Sequence, residues 1–237
     1  KRAACSIIEL QRSVLKALRD SAGKPLTWAD LEAIAALARD RGIVVISDEI
    51  YEPMIYDGRK HFSIAALPGM RELTIVVNGA SKGFSMTGWR IGYAAGPSHV
   101  ITAMEAQVSH STSNVTSFAQ KGAVAAYSLA PDVVATMVRA FDERRVEITN
   151  LLNDIPGFRC LKPGGAFYVF PNVEGTYGEH GGVNIRSSEE LTNYLLEKAH
   201  VAVVHGEAFG APGFLRLSYA TSIENIREGV KRIKAAL

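Results

Sequence analysis

Directly after an apolar, β-branched run at residues 73–77, the chain reads NGASKGFSMTGWRIG over residues 78–92. These fifteen residues contain four glycines, one lysine and one arginine. Glycine allows a backbone to approach a ligand or a neighbouring segment closely. A lysine placed just past a strand end and framed by glycines is suited to act as a nucleophilic amine, with Arg90 as a nearby cation. The stretch therefore predicts a ligand-binding loop in which Lys82 is the reactive group.

The elements before this loop alternate as they do in a parallel α/β sheet. Thr27 and Asp30 predict a helix start, and an apolar stripe predicts that the helix runs to Gly42. Residues 43–46 form a short apolar run that predicts a strand buried on both faces. Ligands gather beyond the carboxyl ends of the strands in such sheets, and Asp48 lies at that end of the first strand.

Beyond residue 130 the order of elements changes. A long helical pattern begins at Pro131, a residue favoured in the first turn of a helix, and leads into shorter strands typical of an α+β domain. The predicted strands are at residues 91–95, 158–161, 166–170, 201–204 and 214–219, and the predicted helices at residues 6–19, 98–108, 116–129, 131–153, 188–199 and from 223 onward. The chain thus divides into a divergent N-terminal helical segment (1–24), part of a large domain (25–130), and a linking helix with a small domain (131–237).

Composition excludes several classes of function. A net charge of +2 is too balanced to predict a nucleic-acid partner, and no apolar run approaches the length of a membrane span. Cys5 and Cys160 have neither disulfide-framework nor zinc-site spacing, which favours a reducing, cytoplasmic setting. The sequence also contains no metal-binding motif. The expected partner is therefore a small molecule.

Asp48 has two interpretations. A carboxylate directly after a buried strand is costly unless it meets a cation or coordinates a ligand. The protonated nitrogen of a pyridine ring is one such cation, and an aspartate there keeps a pyridoxal ring able to accept electrons. Otherwise Asp48 caps a turn.

Residues 79–83 also match G-x-S-x-G, the nucleophile elbow of serine hydrolases. In that alternative Ser81 is the nucleophile, with Asp154 and His205 as its partners. The elbow has to open straight into a helix, whereas residues 84–92 contain two glycines and lead to another strand-like run. This difference disfavours the hydrolase.

Four groups of residues together resemble the class I/II pyridoxal-phosphate-dependent aminotransferases of fold type I, specifically the prokaryotic aspartate-aminotransferase-like branch. The groups are SDEIY at 47–51, GASK with MTGWRIG at 79–92, GAFY at 165–168 and RLSYAT at 216–221. The resemblance runs from about Pro25 to the C-terminus. It implies an α/β fold: part of a large domain that binds pyridoxal phosphate, with a mostly parallel sheet, followed by a C-terminal α+β small domain.

The resemblance also implies how the cofactor, pyridoxal 5′-phosphate, is held. Lys82 would form the internal aldimine and then shuttle the proton between the substrate Cα and the cofactor. Asp48 would pair with the pyridine nitrogen, and Tyr51 would hydrogen-bond the ring oxygen. Arg90, together with Ser81, would grip the phosphate.

For the substrate, the resemblance implies that Arg216 clamps the α-carboxylate, a role that suits the bidentate guanidinium fork. The implied reaction is amino-group transfer between an L-amino acid and a 2-oxo acid, carried out by a cytoplasmic homodimer. Two alternatives stay open: a lyase on the same scaffold, and a truncated, cofactor-poor remnant without full activity. The second is considered because most of the family's N-terminal half is not seen here, and because residues 20–23 read DSAG where the family has Asn-Pro-Thr-Gly.

Overall fold

The computed structural model describes residues 27–237, so the helix predicted at residues 6–19 and the 1–24 segment lie outside the described residues. The chain divides into two compact units, the first ending at Val134 and the second spanning Ala135–Leu237. The helix Pro131–Asn153 begins in the first unit and continues into the second.

The first unit combines a small sheet with helices. Its elements are α1 (Trp28–Arg41), β1 (Val45–Asp48), β2 (Thr74–Gly79), α2 (Ala80–Gly83), β3 (Gly92–Ala95), α3 (Ser98–Ser111), α4 (Ser117–Tyr127) and the start of α5 (Pro131–Asn153). Short 3₁₀ turns at Ile64–Ala66 and Arg71–Leu73 lie between β1 and β2. One apolar cluster joins α1 to the first of these turns through Ala35, Ala38 and Ile64.

Helix α1 begins and ends where the sequence predicts. The Thr27 hydroxyl accepts a hydrogen bond from the Asp30 backbone N–H at 3.3 Å, and the Asp30 carboxylate accepts one from the Thr27 N–H at 2.7 Å. This reciprocal pair satisfies two N–H groups that the first turn would otherwise leave without partners. Gly42 closes the helix in the left-handed conformation, with φ of 63°. Both predicted ends are confirmed.

The sheet has the strand order β1-β2-β3. Strands β1 and β2 are parallel, and β3 runs antiparallel to β2. Strand β1 begins two residues after the predicted start, and Ile46 leaves 70% of its surface exposed. The prediction of a strand buried on both faces is therefore wrong for β1 in the described part of the chain. An apolar strand is buried on both faces only where other elements cover both faces of the sheet.

The second unit is an α+β arrangement. Its elements are the rest of α5, β4 (Tyr168–Val169), β5 (Gly178–His180), β6 (Val183–Ile185), α6 (Ser188–Tyr194), a π-helical turn (Leu195–Ala199), β7 (Val204–His205), β8 (Leu215–Ser218) and α7 (Ile223–Ala236). Strands β4, β8 and β7 form an antiparallel sheet in that order, and β5 pairs with β6 as a separate hairpin. Phe141 of α5 stacks on Phe167 at 5.5 Å between ring centroids, which joins the helix to the sheet.

Two predictions for this unit are wrong. Residues 158–161 form only an isolated bridge, between Arg159 and Asn172, because the chain does not stay extended beside a partner for longer. Residues 178–185, expected as loop, form the β5–β6 hairpin. Its turn is Gly181-Gly182, and both glycines have positive φ, as tight two-residue hairpin turns require.

Among residues 27–237, no single helix is long and apolar enough to cross a membrane. Helices α4 and α5 together have the length and composition of a membrane span, but the chain bends by 88° between them. The described residues therefore contain no straight candidate span.

Candidate active site

The turn that follows β1 is tied to the neighbouring strand. The Glu49 backbone N–H donates to the Val77 carbonyl at 2.8 Å, which links the carboxyl ends of the two parallel strands. The Asp48 carboxylate is exposed and accepts a hydrogen bond from the Ile50 backbone N–H at 3.2 Å. Asp48 thus caps a turn and also presents a carboxylate at the edge where ligands of α/β sheets bind, so the two interpretations are compatible.

Two glycines allow the lysine loop to pack tightly against its surroundings. A Cβ built on Gly79 would lie 2.8 Å from the Gly92 Cα and 2.8 Å from the Ile91 carbonyl oxygen. A Cβ built on Gly83 would lie 2.8 Å from Cγ of Pro53, in the turn that follows Asp48. These approaches are closer than any side chain permits, so the loop sits directly on β3 and on that turn.

Lys82 lies in the single-turn helix α2, which follows β2 without an intervening loop. Its side chain and that of Ser81 are partly buried. Helix α2 ends after four residues, so the strand does not open into the long helix that a nucleophile elbow needs. In the second unit, His205 Nδ1 lies 3.2 Å from the Glu207 carboxylate rather than beside Asp154. Neither observation supports the hydrolase alternative.

Arg90 closes the 3₁₀ turn Thr87–Trp89 in the left-handed conformation, with φ of 51°. Non-glycine residues adopt this conformation infrequently. One guanidinium N–H donates to the Thr87 carbonyl at 2.9 Å, and the side chain is otherwise exposed. No carboxylate of residues 27–237 forms an ion pair with Arg90. Its remaining N–H groups therefore face solvent and can donate hydrogen bonds to an anion.

Arg216, on β8 of the second unit, makes cation–π contacts with two aromatic rings. Its guanidinium carbon lies 4.8 Å from the ring centroid of Tyr168 and 4.7 Å from that of Phe209. Within the described part of the chain it has no carboxylate partner. The two rings hold the guanidinium by cation–π contacts, and its N–H groups are the donors available to a carboxylate.

The structure places the sequence-predicted residues in two groups. Asp48, Tyr51, Ser81, Lys82 and Arg90 belong to the first unit, on the turn after β1 and on the loop after β2. Tyr51 is partly buried, and its carbonyl accepts a hydrogen bond from the Met54 N–H at 2.9 Å. Arg216, the sixth predicted site residue, lies on β8 and belongs to the second unit.

Sequence reasoning missed a polar cluster centred on Glu49. This carboxylate is only 7% exposed and accepts hydrogen bonds from Ser47, Ser63 and His61. A carboxylate oxygen of Glu49, one of Glu52 and a ring nitrogen of His61 also lie within 4.8 Å of one another. Such a group could hold a metal ion, although the sequence has no metal-binding motif. The partners are up to fourteen residues apart along the chain, so no local spacing marks the cluster. A glutamate next to a strand end, with a His-x-Ser following, was the only available signal.

The chain matches a known protein family over most of its length. The family model for aminotransferase class I and II matches residues 20–233. An aspartate aminotransferase from Geobacillus stearothermophilus is 48% identical over 212 residues, which cover 89% of this chain and 53% of that protein. The chain thus spans about half the length of the curated relatives it matches.

Solved structures show the same fold. The crystal structure of the aspartate aminotransferase from Rhizobium meliloti matches with a TM-score of 0.86 and 39% identity, covering 90% of this chain and 55% of that one. An aromatic aminotransferase from Pyrococcus horikoshii matches with a TM-score of 0.81 and 40% identity, covering 90% and 56%. The chain therefore has the fold predicted from the sequence, over about half of each solved chain.

Proposed function

The chain belongs to the class I and II aminotransferase family, and we propose that it transfers an amino group between an L-amino acid and a 2-oxo acid with pyridoxal 5′-phosphate as cofactor. The observation that carries this proposal is the packing of the lysine loop. Gly83 meets Pro53, and Gly79 meets Ile50 and the start of β3, which sets Lys82 beside the turn that presents Asp48. An amine and a carboxylate at the carboxyl edge of one sheet are the two groups that a pyridoxal ring requires.

The donor set of the first unit fits each part of the cofactor. The Asp48 carboxylate suits a protonated ring nitrogen, the Tyr51 phenol suits a ring oxygen, and the Lys82 amine suits an aldehyde carbon. The exposed guanidinium of Arg90 and the Ser81 hydroxyl suit a phosphate. When bound, the cofactor supplies an electron-withdrawing ring that stabilises negative charge at the substrate Cα.

The protein's own groups then bind, orient and move protons. Lys82 would hold the cofactor's aldehyde carbon through its amine, and the same amine would carry the proton between the substrate Cα and the cofactor. Asp48 holds the ring nitrogen protonated, which keeps the ring able to accept electrons. Arg216, in cation–π contact with Tyr168 and Phe209, orients the substrate by its α-carboxylate.

We also propose that the protein acts as a cytoplasmic homodimer. Apolar side chains at the surface of the first unit support an association of copies, since Ile46, Phe118 and Val124 each expose more than 60% of their surface. Light scattering of the purified chain tests this, with twice the mass of 25.6 kDa expected and a single copy as the contradicting result.

Substitutions at neighbouring positions test the activity. We expect Lys82→Ala to lower amino transfer at saturating cofactor by at least about a hundredfold, because general acid–base catalysis alone contributes that much. Ser81→Ala is the matched control and is expected to weaken cofactor binding while leaving most of the rate. The opposite pattern, with Lys82→Ala active and Ser81→Ala inactive, would show that Ser81 is a nucleophile. Wild-type protein that eliminates a β-substituent but transfers no amino group is a lyase, and one that does neither contradicts the proposed activity.

A further inference from the structure

Glu49 receives three hydrogen bonds from side chains on two segments. Ser47 Oγ donates to its carboxylate at 3.0 Å, and Ser63 Oγ donates at 2.6 Å. The third partner is His61, whose Nε2 lies 2.8 Å from the other carboxylate oxygen. The carboxylate therefore connects the end of β1 to the loop at residues 61–63.

The backbone of the same residue is anchored as firmly. Its N–H donates to the Val77 carbonyl at 2.8 Å, and its carbonyl accepts from the Glu52 N–H at 2.9 Å. Asp48 precedes Glu49 directly, and Tyr51 follows it by two positions. The residue between the two proposed cofactor ligands thus makes contacts to β2, to the turn itself and to the loop beyond.

The carboxylate is charged although it is buried. Burial raises the pKa of Glu49, but hydrogen bonds from Ser63, His61 and Ser47 outweigh burial and hold the pKa below its ordinary value. Hydrogen bonds to an ionised acceptor are about twice as strong as those between neutral groups. The cluster is therefore a strong link and not an incidental contact.

We propose that Glu49 is a positioning residue: with Ser47, His61 and Ser63 it fixes the turn that carries Asp48 and Tyr51, and thereby sets how tightly the cofactor is held. This inference rests on the proposed function, since it assigns Glu49 a role toward the pyridoxal phosphate of that site. Glu49 acts only through its neighbours and does not touch the reacting atoms.

The first experiment needs no cofactor. Amide hydrogen exchange is compared in the wild-type chain, Glu49→Gln and the matched control Glu32→Gln, which removes the same charge from an exposed side chain of α1 outside the cluster. We expect Glu49→Gln to speed exchange about tenfold at the backbone amides of residues 49, 50 and 52, because charge-assisted hydrogen bonds are lost. Exchange in β8 of the second unit, and at every amide of Glu32→Gln, is expected to match the wild type.

The second experiment measures the dissociation constant of pyridoxal phosphate by its absorption spectrum. We expect Glu49→Gln to weaken binding about tenfold and to move the pH midpoint of the bound cofactor's visible band, since Asp48 and Tyr51 set both properties. Ser63→Ala, which removes one of the three hydrogen bonds to Glu49 and the Ser63 cap on the Ala65 N–H, is expected to give a smaller change in the same direction, and Glu32→Gln to give none. The Ser63 variant keeps the test valid if Glu49→Gln folds poorly.

The outcomes separate this inference from the proposed function. Glu49→Gln with wild-type exchange at the turn and wild-type cofactor affinity would overturn the inference and leave the function intact. Faster exchange throughout the first unit, equal in β2, β3 and the turn, would also overturn it, because Glu49 would then be a general stabiliser. A wild-type chain that binds no cofactor would overturn the proposed function, while the exchange measurement would still show whether Glu49 fixes the turn.

Discussion

Replacing Gly79 by alanine tests whether close backbone packing sets the position of the lysine loop. The added Cβ would lie 2.8 Å from the Gly92 Cα and 2.8 Å from the Ile91 carbonyl oxygen. Non-bonded carbon atoms prefer about 3.5–4.0 Å, so the Cβ and the Gly92 Cα would be roughly 0.7 Å too close. Both contacts are with backbone, which cannot rotate away, and β2 pairs with β3 at this point. The end of β2 and the start of β3 must therefore move apart.

The expected cost follows from this overlap. Overpacking a well-packed site costs about 1–3 kcal/mol, and here the displaced atoms belong to the strand that leads into Lys82. We expect Gly79→Ala to destabilise the first unit by about 2 kcal/mol and to weaken pyridoxal phosphate binding about tenfold or more. Gly88→Ala is the matched control, because a Cβ on Gly88 has no atom within 4 Å.

Two measurements decide the outcome. Urea unfolding followed by a probe in the first unit gives the stability change, and cofactor titration gives the affinity. Gly79→Ala should differ from the wild type in both, and Gly88→Ala in neither. If Gly79→Ala is as stable as Gly88→Ala and binds the cofactor equally well, close packing does not position the loop.

Three further predictions concern other parts of the molecule. Phe209→Ala should raise the KM for the amino acid about two- to thirtyfold, which corresponds to about 0.5–2 kcal/mol for one lost cation–π contact with Arg216. Phe209→Tyr should stay near wild type, and steady-state kinetics measures both. Burial raises the pKa of the Cys160 thiol to about 11, so a thiol reagent at pH 8 should label the Cys160 peptide only after unfolding; rapid labelling of native protein contradicts this. Hydrogen bonds hold the folded-state pKa of Glu49 below the ordinary value of a glutamate. Its contribution to stability is therefore present above that ordinary value and is lost as the pH falls through the folded-state pKa. Glu49→Gln should flatten this part of the acid unfolding curve, and an unchanged curve would refute the assignment.

Local signals in the sequence predicted local structure well. The Thr27–Asp30 capping pair and Gly42 marked both ends of α1 because these residues act on backbone groups within one turn. The positions of β2 and of the lysine loop followed from an apolar run ended by glycine. The β5–β6 hairpin was missed although its Gly-Gly turn is a hairpin signal, since β5 has no apolar side chain and each strand has only three residues.

Features that depend on distant partners were not predicted. The exposure of Ile46 depends on what covers the sheet, which an apolar run does not encode. The contacts of Glu49 with His61 and Ser63 join residues twelve and fourteen positions apart through a loop of irregular structure. The aromatic pair around Arg216 comes from β4 and from the turn before β8, and only folding brings them together. The roles of the six site residues stay predictions, supported by the chemistry and placement of their side chains.

The most direct test of the account is where the cofactor attaches. The full-length protein is incubated with pyridoxal phosphate and reduced with borohydride, and the modified peptide is identified by mass spectrometry in the wild type and in Lys82→Arg. The account predicts one pyridoxyl group per chain, located on Lys82, and no comparable modification in Lys82→Arg. Modification spread evenly over surface lysines, or equal in the wild type and in Lys82→Arg, would contradict it.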